Sequence, residues 1–321
     1  MNRKFRSCFI TGVTGSAGSY LVEYIIKKDK KIKIYGSYRS KGYLNYLRKK
    51  YKKIKLYKID LNNFLRLKKI LNKTKPDVIF HFASKADVRK SFSYPIKFVQ
   101  NNNLITINLL ESARQLKLKS LIVVCGTSEV YGNVSKKDTP IKENQIMKPA
   151  SPYAVSKAFQ DLISQVYFNS FNLNIIITRM FSYTNSRRTN LFQSSFANQI
   201  AKIEKGKLKK LKHGNLNSIR TVVDSEDAMS AYWLVAKKGR IGEIYNIGGD
   251  TTISVKQYLN ELIKLSNKKI KTEKDKKLFR PQDVTLQIPN VNKFKKHTKW
   301  SPKIKFKESL KKLLEDFRSR A

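Results

Sequence analysis

The sequence predicts an α/β fold: a doubly wound parallel sheet of the Rossmann type, with a smaller C-terminal lobe that binds substrate. Three observations carry this. Residues 9–23, FITGVTGSAGSYLVE, run from an apolar stretch through Gly12, Gly15 and Gly18 into an amphipathic one, the pattern of a strand, a phosphate-binding turn and a helix. Apolar runs then alternate with amphipathic stretches up to Arg179. Near-continuous apolar strands separated by helices mean a sheet covered on both faces. Beyond Arg179 the rhythm changes.

The first strand is Ser7–Thr11 and its helix Ala17–Lys28. Between them Gly12 allows a tight turn, Gly15 lets the backbone approach a pyrophosphate, and Gly18 lets helix and strand pack closely. The helix N-terminus offers free N–H groups to the anion. Further strands are predicted at Ile32–Ser37, Ile54–Ile59, Val78–Phe82, Leu121–Cys125 and Ile175–Arg179, with helices at Tyr43–Tyr51, Phe64–Asn72, Ile96–Gln115 and Tyr153–Asn169. Residues 180–220 show little strand signal and one helix, Phe192–Lys205. Segment 221–249 reads as strand, helix, strand, and 253–266 as helix. Segment 279–321 holds a loop with Pro281 and Pro289, then a helix around Phe306–Ser319. This divides the chain into a nucleotide-binding domain, 1–179 with 221–249 returning to it, and a lobe built from 180–220 and 250–321.

The 321 residues carry 67 Lys+Arg against 23 Asp+Glu, a net charge of +44. A polyanion partner is one reading. The favoured one is a composition bias, because the lysines are spread over the whole chain, so no specific nucleic-acid partner is expected. Cys8 and Cys125 sit in apolar runs and read as buried free thiols. His81, His213 and His297 are scattered and suggest no metal cluster. The basic start is followed by an apolar stretch too short and too broken for a signal peptide, and no run has the length of a membrane span. A cytoplasmic location and no membrane association are the expectation.

The second strand ends GSYRSKG. A carboxylate here would hold the 2′-hydroxyl of NAD. The chain instead has Arg39, which suits a 2′-phosphate, so NADP is the expected cofactor. Asp60 is placed to accept from the adenine, or else to cap the next helix. Ala83 and Ser84, after the fourth strand, are expected along the cofactor channel.

Tyr153 and Lys157, in SPYAVSK, are four apart and share one helix face. An ammonium beside a phenol lowers its pKa and suits it to general acid/base work near neutrality. Together, GVTGSAG, Asp60, HFAS, NNNLITINLLES, GTSEVYG and SPYAVSK follow one another as in the extended short-chain dehydrogenase/reductase family. Within it the chain most resembles the nucleotide-sugar 4,6-dehydratases acting on GDP-mannose.

That resemblance implies Thr127, Tyr153 and Lys157 as the catalytic triad, with Glu129 as the active-site carboxylate. It implies Tyr153 and Lys157 also at the cofactor, and Ser128 at the substrate. MFSYTNSRRTN, residues 180–190, resembles the dehydratase segment with paired arginines, here Arg187 and Arg188. There it reaches the cofactor phosphate of a neighbouring subunit, implying a homodimer or homotetramer. The family's Asn–His is replaced by Ser182 and Tyr183, so Ser182 has to supply the sugar or pyrophosphate contact. Arg220 and Arg280 match arginines that meet the nucleotide diphosphate, with Asp283 close to the second.

The resemblance implies conversion of GDP-mannose to its 4-keto-6-deoxy derivative. Alternatives are an NADPH-dependent reductase of such a 4-keto sugar nucleotide and, from another class, a non-catalytic NADP- or nucleic-acid-binding protein.

Overall fold

The computed structural model describes residues 2–321. The chain runs through β1 (Ser7–Thr11), α1 (Ser16–Lys28), β2 (Lys33–Tyr38), α2 (Leu44–Lys50), β3 (Lys55–Lys58), α3 (Phe64–Thr74), β4 (Val78–His81), α4 (Val88–Ser93), α5 (Pro95–Gln115), β5 (Leu121–Thr127), α6 (Pro152–Phe171) and β6 (Ile175–Met180). It continues with β7 (Ser182–Tyr183), α7 (Phe192–Glu204), β8 (Leu211–His213), β9 (Ile219–Val223), α8 (Ser225–Lys238), β10 (Ile244–Ile247), β11 (Thr251–Ser254), α9 (Val255–Lys264), β12 (Thr272–Lys274), β13 (Leu286–Gln287), α10 (Asn292–Thr298) and α11 (Phe306–Arg318).

Seven strands form one sheet in the order β10-β6-β5-β4-β1-β2-β3. Every pairing in it is parallel. Strand alternation divides the hydrophobic residues between two layers. Cys8 and Ile10 of β1 join Leu21 and Ile25 of α1, Leu47 of α2 and Val235 of α8 on one face. Phe9, between them in sequence, joins Leu67 of α3 and Leu109 of α5 on the other. Each fully buried side chain of this kind contributes about 1.5–3 kcal/mol. The strand order reverses at β1 and β4, and the crevice beyond the strand C-termini there is where such sheets bind ligands.

α6 begins as its sequence dictates. The Ser151 hydroxyl accepts from the Ala154 N–H at 3.1 Å, and Pro152 fills the first turn, where no N–H partner is lost. This fixes the register that carries Tyr153, Lys157 and Asp161. Asp161 in turn forms a buried bidentate pair with Arg179 of β6, at 2.7 and 3.1 Å, which ties α6 to the sheet.

The later chain has its own core, in which Phe196 and Ile200 of α7, Tyr258 and Leu262 of α9, and Leu310 and Leu314 of α11 meet. Segment 221–249 was expected to return whole to the large sheet, and the structure corrects this. Its helix α8 packs on α1, and β10 extends the sheet beside β6. Its first strand, β9, lies in a second sheet with β11, β13 and β7. β10 already occupies the edge next to β6, and β9 is paired on both of its own edges. Residues Phe294 and Trp300, from the expected lobe, complete the large core.

Candidate active site

The glycine turn forms the floor of the crevice. Gly12 has φ +66°, and a Cβ there would come within 3.0 Å of the Ala83 backbone. A Cβ on Gly18 would lie 2.5 Å from the Gly12 carbonyl oxygen and 2.7 Å from Val13. Only glycine fits either place. Gly15 stands at the start of α1 without a side-chain cap, and α1 carries no acid in its first turn, so the first N–H groups of the helix are left without side-chain partners. Beside it a recess of about 170 Å³ is lined by Gly12, Ser37, Arg39, Asp60, Ala83, Ser84 and Asn101. Arg39 donates to Asp60 at 3.2 Å and to Asn101 at 3.0 Å. The Ser37 hydroxyl is buried there with no partner. A floor that a Cβ would fill, free helix N–H groups and an orphan hydroxyl fit a dinucleotide.

A larger cleft of about 540 Å³ continues from Gly12, Gly15 and Gly18 past Thr127, Ser128, Glu129, Tyr153 and Lys157 to Ser182, Arg220 and Arg280. It thus joins residues from β5, α6, β7, β9 and the segment before β13. Thr127 ends β5, and its hydroxyl accepts from the Glu129 N–H at 3.3 Å. This opens the 3-10 turn Ser128–Tyr131 that carries Glu129. Lys157 is buried and donates to the Cys125 carbonyl at 2.7 Å and to the Gln160 side chain.

The electrostatics differ from the sequence expectation. Burial pushes the Tyr153 phenol up to about 12, with Arg188 pulling down, Glu129 adding to the rise and the Thr127 hydroxyl opposing it. Burial brings the Lys157 ammonium down to about 8, partly offset by Cys125 and Asp161. The expected lowering of Tyr153 by Lys157 is absent because desolvation outweighs it and because two other acceptors hold the ammonium.

At the far end, Arg280 lies 3.7 Å from Glu129 and 3.9 Å from Asp283. Gln287 donates to Glu129 at 3.3 Å. Arg220 is buried and donates to the backbone carbonyls of Ile219, Val284 and Thr285. Ser182 accepts from Gln193 at 2.6 Å.

Arg187 is the one predicted site residue that lies outside both recesses. It pairs with Glu23 at 2.6 Å, donates to Ser19 at 2.8 Å and stacks 3.9 Å from the Tyr20 ring. Anchored this way, it lines a separate groove of about 650 Å³ formed with residues of α1, α8 and α11. Arg188 enters the cleft instead, holding the Ala86 carbonyl at 2.7 Å. Tyr183, Asn190, Gln193 and Gln287 also line the cleft and were not singled out by the sequence. Tyr183 had been noted only as a departure from the family pattern. Nothing in the local spacing marked Gln287, which reaches Glu129 through the β13–β9 pairing.

A parallel sheet in this order, with a glycine floor at its switch point and Tyr153 and Lys157 on the adjoining wall, is a doubly wound dinucleotide-binding architecture, and comparison with known proteins places the chain among the nucleotide-sugar enzymes of the extended short-chain dehydrogenase/reductase family. The model of the GDP-mannose 4,6 dehydratase family matches residues 9–313, and the chain belongs to that family. A dTDP-D-glucose 4,6-dehydratase of Dictyostelium discoideum is 33% identical over 83% of this chain and 64% of its own length. The chain spans 49–64% of the length of the first curated relatives it matches. The structure of RMD from Pseudomonas aeruginosa complexed with NADPH superposes with a TM-score of 0.84 at 23% identity, over 98% of this chain and all of that one. A UDP-glucuronic acid 4-epimerase from Bacillus cereus, in complex with UDP-glucuronic acid and NAD, gives 0.87 at 24% identity, over 98% and 100%.

Proposed function

We propose that the protein is an NADP-dependent nucleotide-sugar 4,6-dehydratase acting on GDP-mannose. The observation that supports this best is the meeting of Glu129 with Thr127, Tyr153 and Lys157 in one cleft that runs on to Arg220 and Arg280. When bound, the nicotinamide dinucleotide supplies a hydride acceptor that later serves as donor. Gly12, Gly15, Gly18, Arg39, Asp60, Ala83 and Arg188 would hold it. Tyr153, as a phenolate steadied by Lys157, takes the proton of the sugar 4-hydroxyl and becomes the neutral phenol as hydride leaves C4. Thr127 donates to the forming carbonyl oxygen. A 4-ketone acidifies C5–H. Glu129 takes that proton and passes it to the departing C6 hydroxyl, so that water leaves. Arg220, Arg280, Ser128 and Ser182 bind the sugar nucleotide.

A homo-oligomer is part of the same reading. Val155, Leu162 and Val166 form an exposed apolar stripe on α6, with Leu104 exposed on the neighbouring α5. Stripes of this kind mark association surfaces.

Incubation with GDP-mannose and NADP⁺ tests the proposal. It predicts a 4-keto sugar nucleotide with no net change in NADPH. Stoichiometric NADPH loss seen only with a 4-keto substrate would replace it with a reductase. No turnover, together with salt-sensitive DNA binding, would favour the non-catalytic alternative.

A further inference from the structure

Behind Lys157 a chain of polar side chains runs through the interior to the glycine turn. Lys157, Gln160, Thr106, His81 and Thr11 are each at most 3% exposed. Lys157 donates to the Gln160 carbonyl oxygen. The Gln160 amide nitrogen donates to the Thr106 hydroxyl oxygen at 3.2 Å. His81 joins Thr106 through Nε2 at 3.2 Å and Thr11 through Nδ1 at 2.9 Å. The Ala83 N–H donates to Thr11 at 3.0 Å.

One arrangement of protons satisfies every contact in this chain. The Thr106 hydroxyl gives its only proton to the Asn102 carbonyl at 2.8 Å. Its oxygen therefore accepts from both Gln160 and His81 Nε2–H. His81 Nδ1 is then bare and accepts from the Thr11 hydroxyl, whose oxygen accepts from Ala83. Burial keeps His81 neutral, well below the ordinary histidine range, so this tautomer does not titrate near neutrality. The outcome fixes the Gln160 amide, nitrogen toward Thr106 and oxygen toward Lys157. A flipped amide would face the ammonium with its N–H groups and leave donors unpaired in a dry site.

We propose that Gln160 is a positioning residue for Lys157, with its amide locked by the Thr106–His81–Thr11 chain. The ammonium then has two fixed acceptors, Cys125 O and Gln160 Oε1, and keeps one N–H for a partner in the cleft that Lys157 lines. The same chain ends at Ala83 against Gly12, so the position of Lys157 and the floor of the dinucleotide recess are set by one piece of structure. This rests on the role given to Lys157 above.

Three variants test it, with cofactor affinity and pH profile as readouts. The titratable groups whose charge reaches Lys157 are Cys125 on β5, His81 on β4 and Asp161 on α6. Gln160→Leu removes the acceptor; NADPH affinity, read by fluorescence titration, is expected to fall about tenfold, and the alkaline limb of kcat/KM to move to lower pH. Gln160→Glu keeps the shape and adds a negative charge; the limb is expected to move to higher pH. Thr106→Val breaks the chain one step away and should act like Gln160→Leu, more weakly. An unmoved limb and unchanged NADPH affinity in Gln160→Leu and Gln160→Glu would overturn the inference. Lys157→Met separates the two levels. If it leaves turnover intact, the reading of Lys157 fails; if it abolishes turnover while the Gln160 variants match wild type, only the role of Gln160 fails.

Discussion

The Arg280 guanidinium lies 3.7 Å from the Glu129 carboxylate, across the end of the cleft opposite the glycine turn. It makes no hydrogen bond among the described residues and shares its charge with Asp283 at 3.9 Å. Arg220 beside it is held by three backbone carbonyls. The two arginines therefore differ in freedom. Arg280 can turn to an incoming diphosphate, whereas Arg220 is a fixed wall. Arg280→Ala is expected to raise KM for the sugar nucleotide about tenfold or more, as loss of a charged contact does. Steady-state kinetics would check this, and an unchanged KM would remove Arg280 from the substrate site.

Glu129→Gln keeps the shape and the Gln287 contact but removes the base. Water loss is expected to slow by about 10²–10⁴-fold, the usual contribution of a general base. NADPH binding should stay at the wild-type level. Fluorescence titration and product analysis by NMR separate the two, and full activity would exclude Glu129 as the base.

The neighbouring arginines should part company. Arg187→Ala breaks the pair with Glu23 and the stacking on Tyr20, so it should lower the thermal midpoint while leaving kcat within about twofold. Arg188→Ala acts in the cleft and should lower kcat/KM with little change in stability. Paired melting curves and kinetics decide this; the opposite pattern would restore Arg187 to the cofactor site.

The pH dependence follows from Lys157. Its ammonium is disfavoured by burial, so the folded protein loses that proton near pH 8, not at the ordinary lysine value of 10.5. Activity that needs the ammonium falls as pH rises through about 8. The sign for stability is opposite. Between about 8 and 10.5 the unfolded chain binds the extra proton and the folded one does not, so this group's contribution to stability rises with pH across that window. A kcat/KM profile with no loss until well above pH 9 would contradict the placement of Lys157.

The first half of the fold was legible because the central strands β1, β4, β5 and β6 are almost wholly buried and the longer helices carry an apolar stripe. β1 through β6 fall where the apolar runs are, with ends moved by a residue or two. The glycine turn was legible for the same local reason, and the four-residue spacing of Tyr153 and Lys157 puts both on the cleft wall. β7, β8, β11, β12 and β13 are two to four residues long, too short to show a period. Their pairing is what brings Gln287 to Glu129. The anchoring of Arg187 on Glu23 and Tyr20, more than 160 residues away in sequence, could not be read from local spacing. The Tyr153 expectation failed because a charge pair can be read from sequence and the depth of burial cannot.

The apolar stripe on α6 gives a further test. Leu162→Glu is expected to convert an oligomer into a monomer in light scattering, because a carboxylate buried at such an interface is costly. An unchanged molar mass would remove this face from the assembly.

The central claim is that the cofactor lends a hydride and takes it back within one turnover. GDP-mannose carrying deuterium at C4 tests this most directly, with NMR of the product formed in ordinary water. Hydride return within one turnover gives a 4-keto-6-deoxy sugar nucleotide with the deuterium at C6, a solvent proton at C5 and no net change in NADPH. Deuterium found on released cofactor, or a product without label at C6, would contradict it.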